Sequence, residues 1–420
     1  MTNLYFFLFL AYIVSPKIDL LGPATAVRPE DLISLLAFVI YLLGKKTVRL
    51  ELPRPVRLYI VFIGLSFLSA LVNITTNGPI GFVYTTRLVQ YLMWFFVMYE
   101  ACHRVTWRDF RLGFMTVSVI FVLWGGLELA GVIGRVGRFT GAAERLTINT
   151  SGPFETSVML AMLAYAIPSL LLTPVLLVLV LLTQARISLL GMIFSAGIAK
   201  PFKALFAGGV AVVLFTVVAQ PLIATFQDSR VVQSDSPTRM ADVFVESWKR
   251  APTLDDPSVF RERFLSGPTI LRYMPSQKGD MSFSLRAVRW PIVIKTTASS
   301  IGHFLFGWGP GAWSLALDGY YVRVFGETGI IGLVFFCYWL LTTILALRTG
   351  GNAKFGLVMM AVVACFIDIF TSSKIVPIFW FFVALEHAGH PFAMPRRTWG
   401  RGPPIPARLT GPDPRPPALV

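Results

Sequence analysis

The chain has 420 residues, 55% of them hydrophobic and only 14% charged, with a mean hydropathy of +0.68. That composition excludes a soluble enzyme and describes a protein that crosses a membrane many times. The formal net charge of +15 would direct a soluble domain towards nucleic acid, but here the surplus sits in short connections and a C-terminal tail, as topology determinants and contacts for anionic membrane lipids, so no nucleic-acid partner is expected.

A spanning helix needs about 20 mostly apolar residues. In chain order the apolar runs predict helices over 4–22, 31–44, 57–76, 79–101, 110–133, 153–171, 173–184, 187–199, 203–224, 329–347, 354–373 and 375–389. The expected fold class is therefore all-α, a polytopic integral membrane protein of about twelve spans. The first run lacks a basic n-region and an A-x-A-like cleavage site and is expected to be a retained helix. Cys102, Cys337 and Cys365 lie in or beside apolar runs with no partner at metal or disulfide spacing, and read as small core residues.

Basic residues mark one side: Lys45, Lys46, Arg49, Arg54 and Arg57, then Arg104, Arg108 and Arg111, then Lys200 and Lys203, then Arg348 and Lys354, then the arginines of the tail. By the positive-inside rule that side is cytoplasmic. The resulting layout has membrane helices in 1–224, an outer connection over 225–328 between helices 9 and 10, membrane helices in 329–389, and a basic, Pro-rich disordered tail over 390–420. The connection carries mixed charge, with one amphipathic helix marked by Met240, Val243, Phe244 and Trp248, expected to lie on the membrane or the bundle. Beyond that helix, prolines and glycines break the connection into short pieces.

Chemistry-bearing residues crowd into 286–332. Arg286 and Trp290 open a helical pattern through Ile292, Val293, Ile301 and Leu305, which ends in the turn Gly307-Trp308-Gly309-Pro310-Gly311. Asp318, Gly319, Tyr320, Tyr321, Arg323 and Glu327 come next, and Gly329 and Gly332 open the next apolar run. A second polar pause, Thr183-Gln184-Ala185-Arg186-Ile187-Ser188, divides two closely spaced apolar runs. An arginine there snorkels, finds an anion or lines a wet cavity.

Arg-x-x-x-Trp, a Gly-x-Gly turn, and a polar residue ahead of Gly-x-x-Gly at the head of a membrane helix resemble the bacterial O-antigen ligase and O-antigen polymerase superfamily. Asp318-Gly319 stand where that family more often has His-Asn. The resemblance implies inverting glycosyl transfer on the periplasmic face of the inner membrane, from a glycan on undecaprenyl diphosphate to a saccharide acceptor, with a chain-length regulator as a further partner. Asp318 then takes the place of the catalytic base, and Tyr321 aligns with the family's tyrosine. The departure from His-Asn favours polymerase; the alternative is a ligase acting on a lipid A core. A lipid-linked glycan flippase or other transporter would also set arginines near a lipid diphosphate, but would more often show internal repeats or broken helices at the midplane.

Arg186, Arg286, Arg289 and Arg323 share the expected outer face. Guanidiniums bind phosphate oxygens bidentately and stay charged, so they neutralise a departing diphosphate without a metal, and no cofactor or metal is expected. The plainer reading of each is a loop salt bridge or an interfacial anchor. Asp318 and Glu327, nine residues apart, would be half a turn out of phase on one helix, so only one would face the site. An arginine-flanked Asp318 is expected to stay ionised at neutral pH. Glu327 reads equally as a carboxylate at a helix N-terminus. His303 is the second candidate base, or a structural histidine. Arg87 lies inside an apolar run and is a further cavity residue. Tyr320, Tyr321, Trp308 and Trp313 serve equally as sugar-stacking rings or an interfacial belt. Asp368 reads as a lone acid in an apolar helix.

Overall fold

The computed structural model describes residues 2–18, 28–44, 50–134, 145–150, 152–167, 169, 171–199, 237–264, 270, 273, 281–313 and 317–390. Every regular element among them is helical: α1 (Thr2–Val14), α2 (Pro29–Leu43), α3 (Arg54–Val72), α4 (Ile74–Asn77), α5 (Ile80–Cys102), α6 (Trp107–Leu129), α7 (Pro153–Ala166), α8 (Leu172–Leu182), α9 (Arg186–Ala199), α10 (Pro237–Arg250), α11 (Pro257–Arg263), α12 (Met281–Ala298), α13 (Ile301–Phe306), α14 (Tyr320–Ala346), α15 (Asn352–Val363) and α16 (Ile375–His387). Of these, α3, α5, α6 and α14 are long and apolar enough to cross a membrane. The chain is a membrane-embedded helical bundle. The expected span over 203–224 and the tail beyond His390 lie outside the described residues.

Local chemistry sets the helix ends. The first helix stops at Val14, short of the predicted boundary, because Pro16 has no N–H to continue the ladder. Thr106 and Asp109 cap α6 reciprocally, the Thr106 hydroxyl accepting the Asp109 N–H at 3.3 Å and the Asp109 carboxylate accepting the Thr106 N–H at 3.2 Å. The predicted run 354–373 is broken: α15 ends at Val363, and a 3₁₀ turn over Ile369–Thr371 intervenes before α16. At 12 and 13 residues, these helices measure about 18–20 Å, against a hydrocarbon core of about 30 Å. The 364–374 break packs Ala364, Ile367, Ile369 and Phe370 into the core and ends at buried ion pairs. There Lys374 Nζ lies 2.9 Å from Glu30, with neither side chain exposed, and Lys17 Nζ lies 2.6 Å from Glu155. Lys374 also donates to the Ser15 carbonyl at 2.7 Å, so the ends of α1, α2, α7 and α16 are tied together.

Central elements are apolar all round, as buried helices are; α16 is buried continuously from Ile375 to Leu385. Its Phe381 stacks on Phe9 with centroids 4.8 Å apart, and Trp380 packs on Tyr59 at 4.9 Å. At the periphery, Leu43, Leu171 and Leu345 are 82%, 82% and 71% exposed, a surface suited to lipid, which is as apolar as leucine.

The connection between α9 and α14 differs from the solvated pieces expected. Phe260, Phe264, Val288, Ile292, Trp308 and Trp313 form a hydrophobic core of its own. The amphipathic α10 packs on α12, and Lys295 of α12 donates to the carbonyls of Trp248 and Ala251 at 2.5 and 3.0 Å. The single helical pattern expected through Leu305 divides at Ser299-Ser300, where the Ser300 hydroxyl accepts the His303 N–H at 3.2 Å and starts α13. Polar groups on α3 and α4 then dock this unit: the Ser69 hydroxyl lies 2.7 Å from the carbonyls of both Phe306 and Glu327, Asn73 donates to Gly307 O at 3.2 Å, and Asn77 donates to Trp308 O.

Candidate functional site

Two glycine stretches that are distinct in sequence meet in space. Gly329 takes φ 68°, ψ −168° inside α14 and kinks it, which frees carbonyls upstream from the helical ladder. The N–H groups of Trp308 and Gly309 donate to the Gly326 and Glu327 carbonyls, each at 2.9 Å. The backbones approach so closely that a Cβ on Gly307 would lie 2.3 Å from the Glu327 carbonyl carbon, and one on Gly329 would lie 2.3 Å from that of Leu305. Both positions also have positive φ, so glycine is required twice over. The helix expected to open at residue 329 instead begins at Tyr320, and this contact sets its kink.

On one side of the junction lies Asp318. It adopts φ 52°, an uncommon conformation that aspartate tolerates better than most residues. Three contacts hold its backbone turn: Trp290 Nε1 donates to Asp318 O at 2.6 Å, and the Asp318 and Gly319 N–H groups donate to Asp368 at 3.3 and 3.2 Å. Its side chain keeps 37% of its exposure and lies 3.6 Å from Arg286 NH2. Arg286 and Arg289, three residues apart on α12, share a helix face and are only 8% and 6% exposed. Arg286 Nε is buried with no hydrogen-bond partner among the described residues, while Arg289 Nε reaches Phe264 O at 3.4 Å. Burial raises the Asp318 carboxyl above the usual aspartate range and Asp368 adds to the rise, against the opposing pull of Arg286, Arg289 and Arg323. The expectation that flanking arginines alone would fix its ionisation therefore omits the larger influence, desolvation.

Several sequence expectations are corrected. Arg323, expected on a diphosphate, is 1% exposed and bridges Asp368 at 2.7 Å and Glu327 at 3.2 Å. It builds the wall behind Asp318. Asp368 is not a lone acid, since it joins Arg323 to the Asp318 turn. Glu327 accepts from Gly311 N at 2.9 Å, and it shares this network with Asp318 because Asp318 precedes α14, which removes the phase argument. Tyr321 donates its hydroxyl to Ala361 O at 3.0 Å and packs against the bundle core, so it is committed to α15. Trp308, Trp313 and Tyr320 are buried, neither a membrane belt nor free rings. His303 hydrogen-bonds Ser300 through Nδ1 at 2.9 Å and stacks on Trp308 with centroids 3.5 Å apart; burial lowers its pKa below the ordinary histidine range.

Arg186 opens α9, which packs on α15 and α7. Gly191 of α9 lies against Met359 and Val363 of α15. The Arg186 turn is fixed by Arg145, which donates to the carbonyls of Thr183 and Gln184 at 3.0 and 3.2 Å. Arg87 is half-buried over the Tyr84 ring. The arrangement offers two buried cations and one accessible carboxylate at the edge of a membrane bundle, able to hold an anion and accept a proton side by side. Asp368, Tyr84 and the Ser69-Asn73-Asn77 ladder are the parts that sequence reasoning missed; the i, i+4 spacing of that ladder was the one signal for it. No protein-family model matches the chain, and no curated protein matches it.

Proposed function

We propose that the protein is a polysaccharide polymerase of the O-antigen ligase and polymerase kind: a multi-pass glycosyltransferase of about twelve spans in the bacterial inner membrane, with its site on the periplasmic face. It transfers a glycan from undecaprenyl diphosphate to a saccharide hydroxyl with inversion. The observation that carries this reading is the buried pair Arg286 and Arg289, with an unpartnered Arg286 Nε, facing the partly exposed Asp318 carboxylate. Two guanidiniums stabilise the diphosphate as the glycosidic C–O bond breaks, and Asp318 takes the acceptor hydroxyl proton as the new C–O bond forms. Arg186 is a third diphosphate contact; Arg323 and Glu327 position the Asp318 turn. A ligase would use the same residues with a lipid A core as acceptor.

The test is transfer by purified full-length protein from a lipid-linked donor in the presence of EDTA. Turnover is expected to persist; loss that Mg²⁺ or Mn²⁺ restores would overturn the assignment of charge neutralisation to arginine. Arg286→Ala should abolish transfer and Arg286→Lys should restore part of it, since lysine keeps the charge without the bidentate fork. Full activity in Arg286→Ala removes this residue from the site.

A further inference from the structure

The segment 364–374 touches the candidate site at one end and a buried ion pair at the other. Its first half lies under the Asp318 turn. The Ala364 carbonyl accepts the Tyr320 N–H at 2.8 Å, and Phe366 packs on Trp290 with ring centroids 6.0 Å apart. Asp368 accepts the Asp318 and Gly319 N–H groups while it bridges Arg323, and Phe370 packs on Tyr320 at 5.1 Å. The second half is held by other helices. Tyr91 of α5 donates to the Thr371 carbonyl at 2.9 Å, Tyr12 of α1 donates to the Ser373 carbonyl, and the Ser373 hydroxyl donates to Glu30 of α2. Lys374 closes the segment on the same Glu30, with neither side chain exposed.

This pair has no capacity left for a ligand. Besides Glu30, Lys374 Nζ reaches the Tyr12 and Ser15 carbonyls at 2.5 and 2.7 Å and the Ser15 hydroxyl at 2.9 Å, which uses every donor an ammonium carries. Apolar residues of similar volume often hold helices together as well as a buried ion pair does, so the charges are better explained by the geometry they fix. The link from Lys374 back to Asp368 is short and internally tied. The Thr371 hydroxyl and N–H both donate to the Asp368 carbonyl, at 2.7 and 3.1 Å, and the Ser372 N–H donates to the Ile369 carbonyl at 3.1 Å. A displacement at Lys374 is therefore passed on to Asp368 and not absorbed between them.

We propose that Glu30 and Lys374 are positioning residues for the candidate site: their pairing fixes the far end of 364–374 and, through Asp368, sets where the Asp318 turn stands. The catalytic consequence rests on the glycosyl-transfer reading, whereas the coupling itself does not.

The experiment uses full-length protein in detergent and two readouts. In protein labelled with fluorotryptophan, the Trp290 fluorine resonance, assigned through Trp290→Phe, reports the turn because this indole donates to the Asp318 carbonyl. Glu30→Gln alone would strand the Lys374 charge, so the test variant is Glu30→Gln with Lys374→Met, which removes both charges together. Lys17→Met with Glu155→Gln is the control, since that neighbouring pair joins the end of α1 to α7 without involving 364–374. The Trp290 resonance should move in the test variant and stay in the control. Glu30→Asp keeps both charges and shortens the reach by one methylene; it should move the resonance less, and it tests the same link if the double variant does not fold. An unmoved resonance in the folded variants, or equal movement in the control, overturns the proposal and leaves the pair a structural anchor. In the second readout, transfer from an undecaprenyl diphosphate-linked donor, kcat of the test variant should fall on the order of 100-fold, the scale of a misplacement by about 1 Å, with the donor KM unchanged. A moved resonance with kcat intact would overturn the positioning role. A moved resonance in a protein without any transfer activity would refute the glycosyl-transfer reading alone.

Discussion

Asp318 combines an uncommon backbone conformation with a side chain that the fold leaves partly free. Its N–H and carbonyl are fully engaged by Asp368 and Trp290, so the turn is held by its surroundings while the carboxylate is available, a pattern that concentrates where function requires strain. Asp318→Asn retains size and polarity but removes basicity, and turnover should fall about 100-fold or more, the usual scale for a general base. His303→Gln should cost far less, since its partners are Ser300 and Trp308; a dead His303→Gln beside a live Asp318→Asn would move the base to His303. Burial sets the sign of the pH dependence. Activity needs the ionised carboxylate, so it should fall as pH drops through a pKa displaced upward from the usual aspartate range. Arg289 opposes that displacement, so Arg289→Gln should move the acid limb of the kcat/KM profile to still higher pH; a limb that stays put or moves down separates Asp318 from catalysis. Asp318 and Arg286 stand out in the sequence because arginines, carboxylates, aromatics and glycines crowd into 286–332. Asp368 does not, because its partner Arg323 lies 45 positions away and an acid within an apolar run carries no sign of what it faces.

Among the elements, the kinked α14 and the turn before it depend on each other. Glycine at 307 and 329 satisfies both a positive φ and a backbone approach that no side chain fits. Gly307→Ala and Gly329→Ala should each destabilise by about 1–3 kcal/mol or more from conformation alone, read as a fall in the melting temperature of the detergent-solubilised protein. Gly302→Ala, with open space around its Cβ, serves as the control and should change little. A melting temperature unaffected by Gly307→Ala would mean that the turn is not docked as described. The long apolar helices were readable within a few residues: 79–101 was expected where α5 spans Ile80–Cys102, and 110–133 where α6 spans Trp107–Leu129. Hydropathy could not report that α14 begins at Tyr320, because Arg323 and Glu327 read as loop residues until their buried partners are known. Nor could it find the 364–374 break, where an apolar stretch leaves the helix so that Asp368 and Lys374 reach their ion pairs.

For the whole molecule, the topology we propose places the α10–α13 unit outside the cell membrane and the α5–α6 turn inside. With the three native cysteines replaced, Ser299→Cys should react with an impermeant thiol reagent in intact spheroplasts, and Arg108→Cys only after permeabilisation; the reverse pattern would invert the orientation. Both positions are exposed, so access reports sidedness and not burial. The meeting of the Gly307–Gly311 turn with the α14 kink also bears on how this chain can be recombined. Because the Trp308 and Gly309 N–H groups complete the hydrogen bonding of a membrane helix, the connection is not a detachable specificity module. A chimera that exchanges it at the helix boundary, between residues 313 and 320, would leave the kink without donors. Functional hybrids should require crossovers before α10 and beyond Gly332, transplanted together with the Ser69-Asn73-Asn77 face, so that these distant stretches are inherited as one unit.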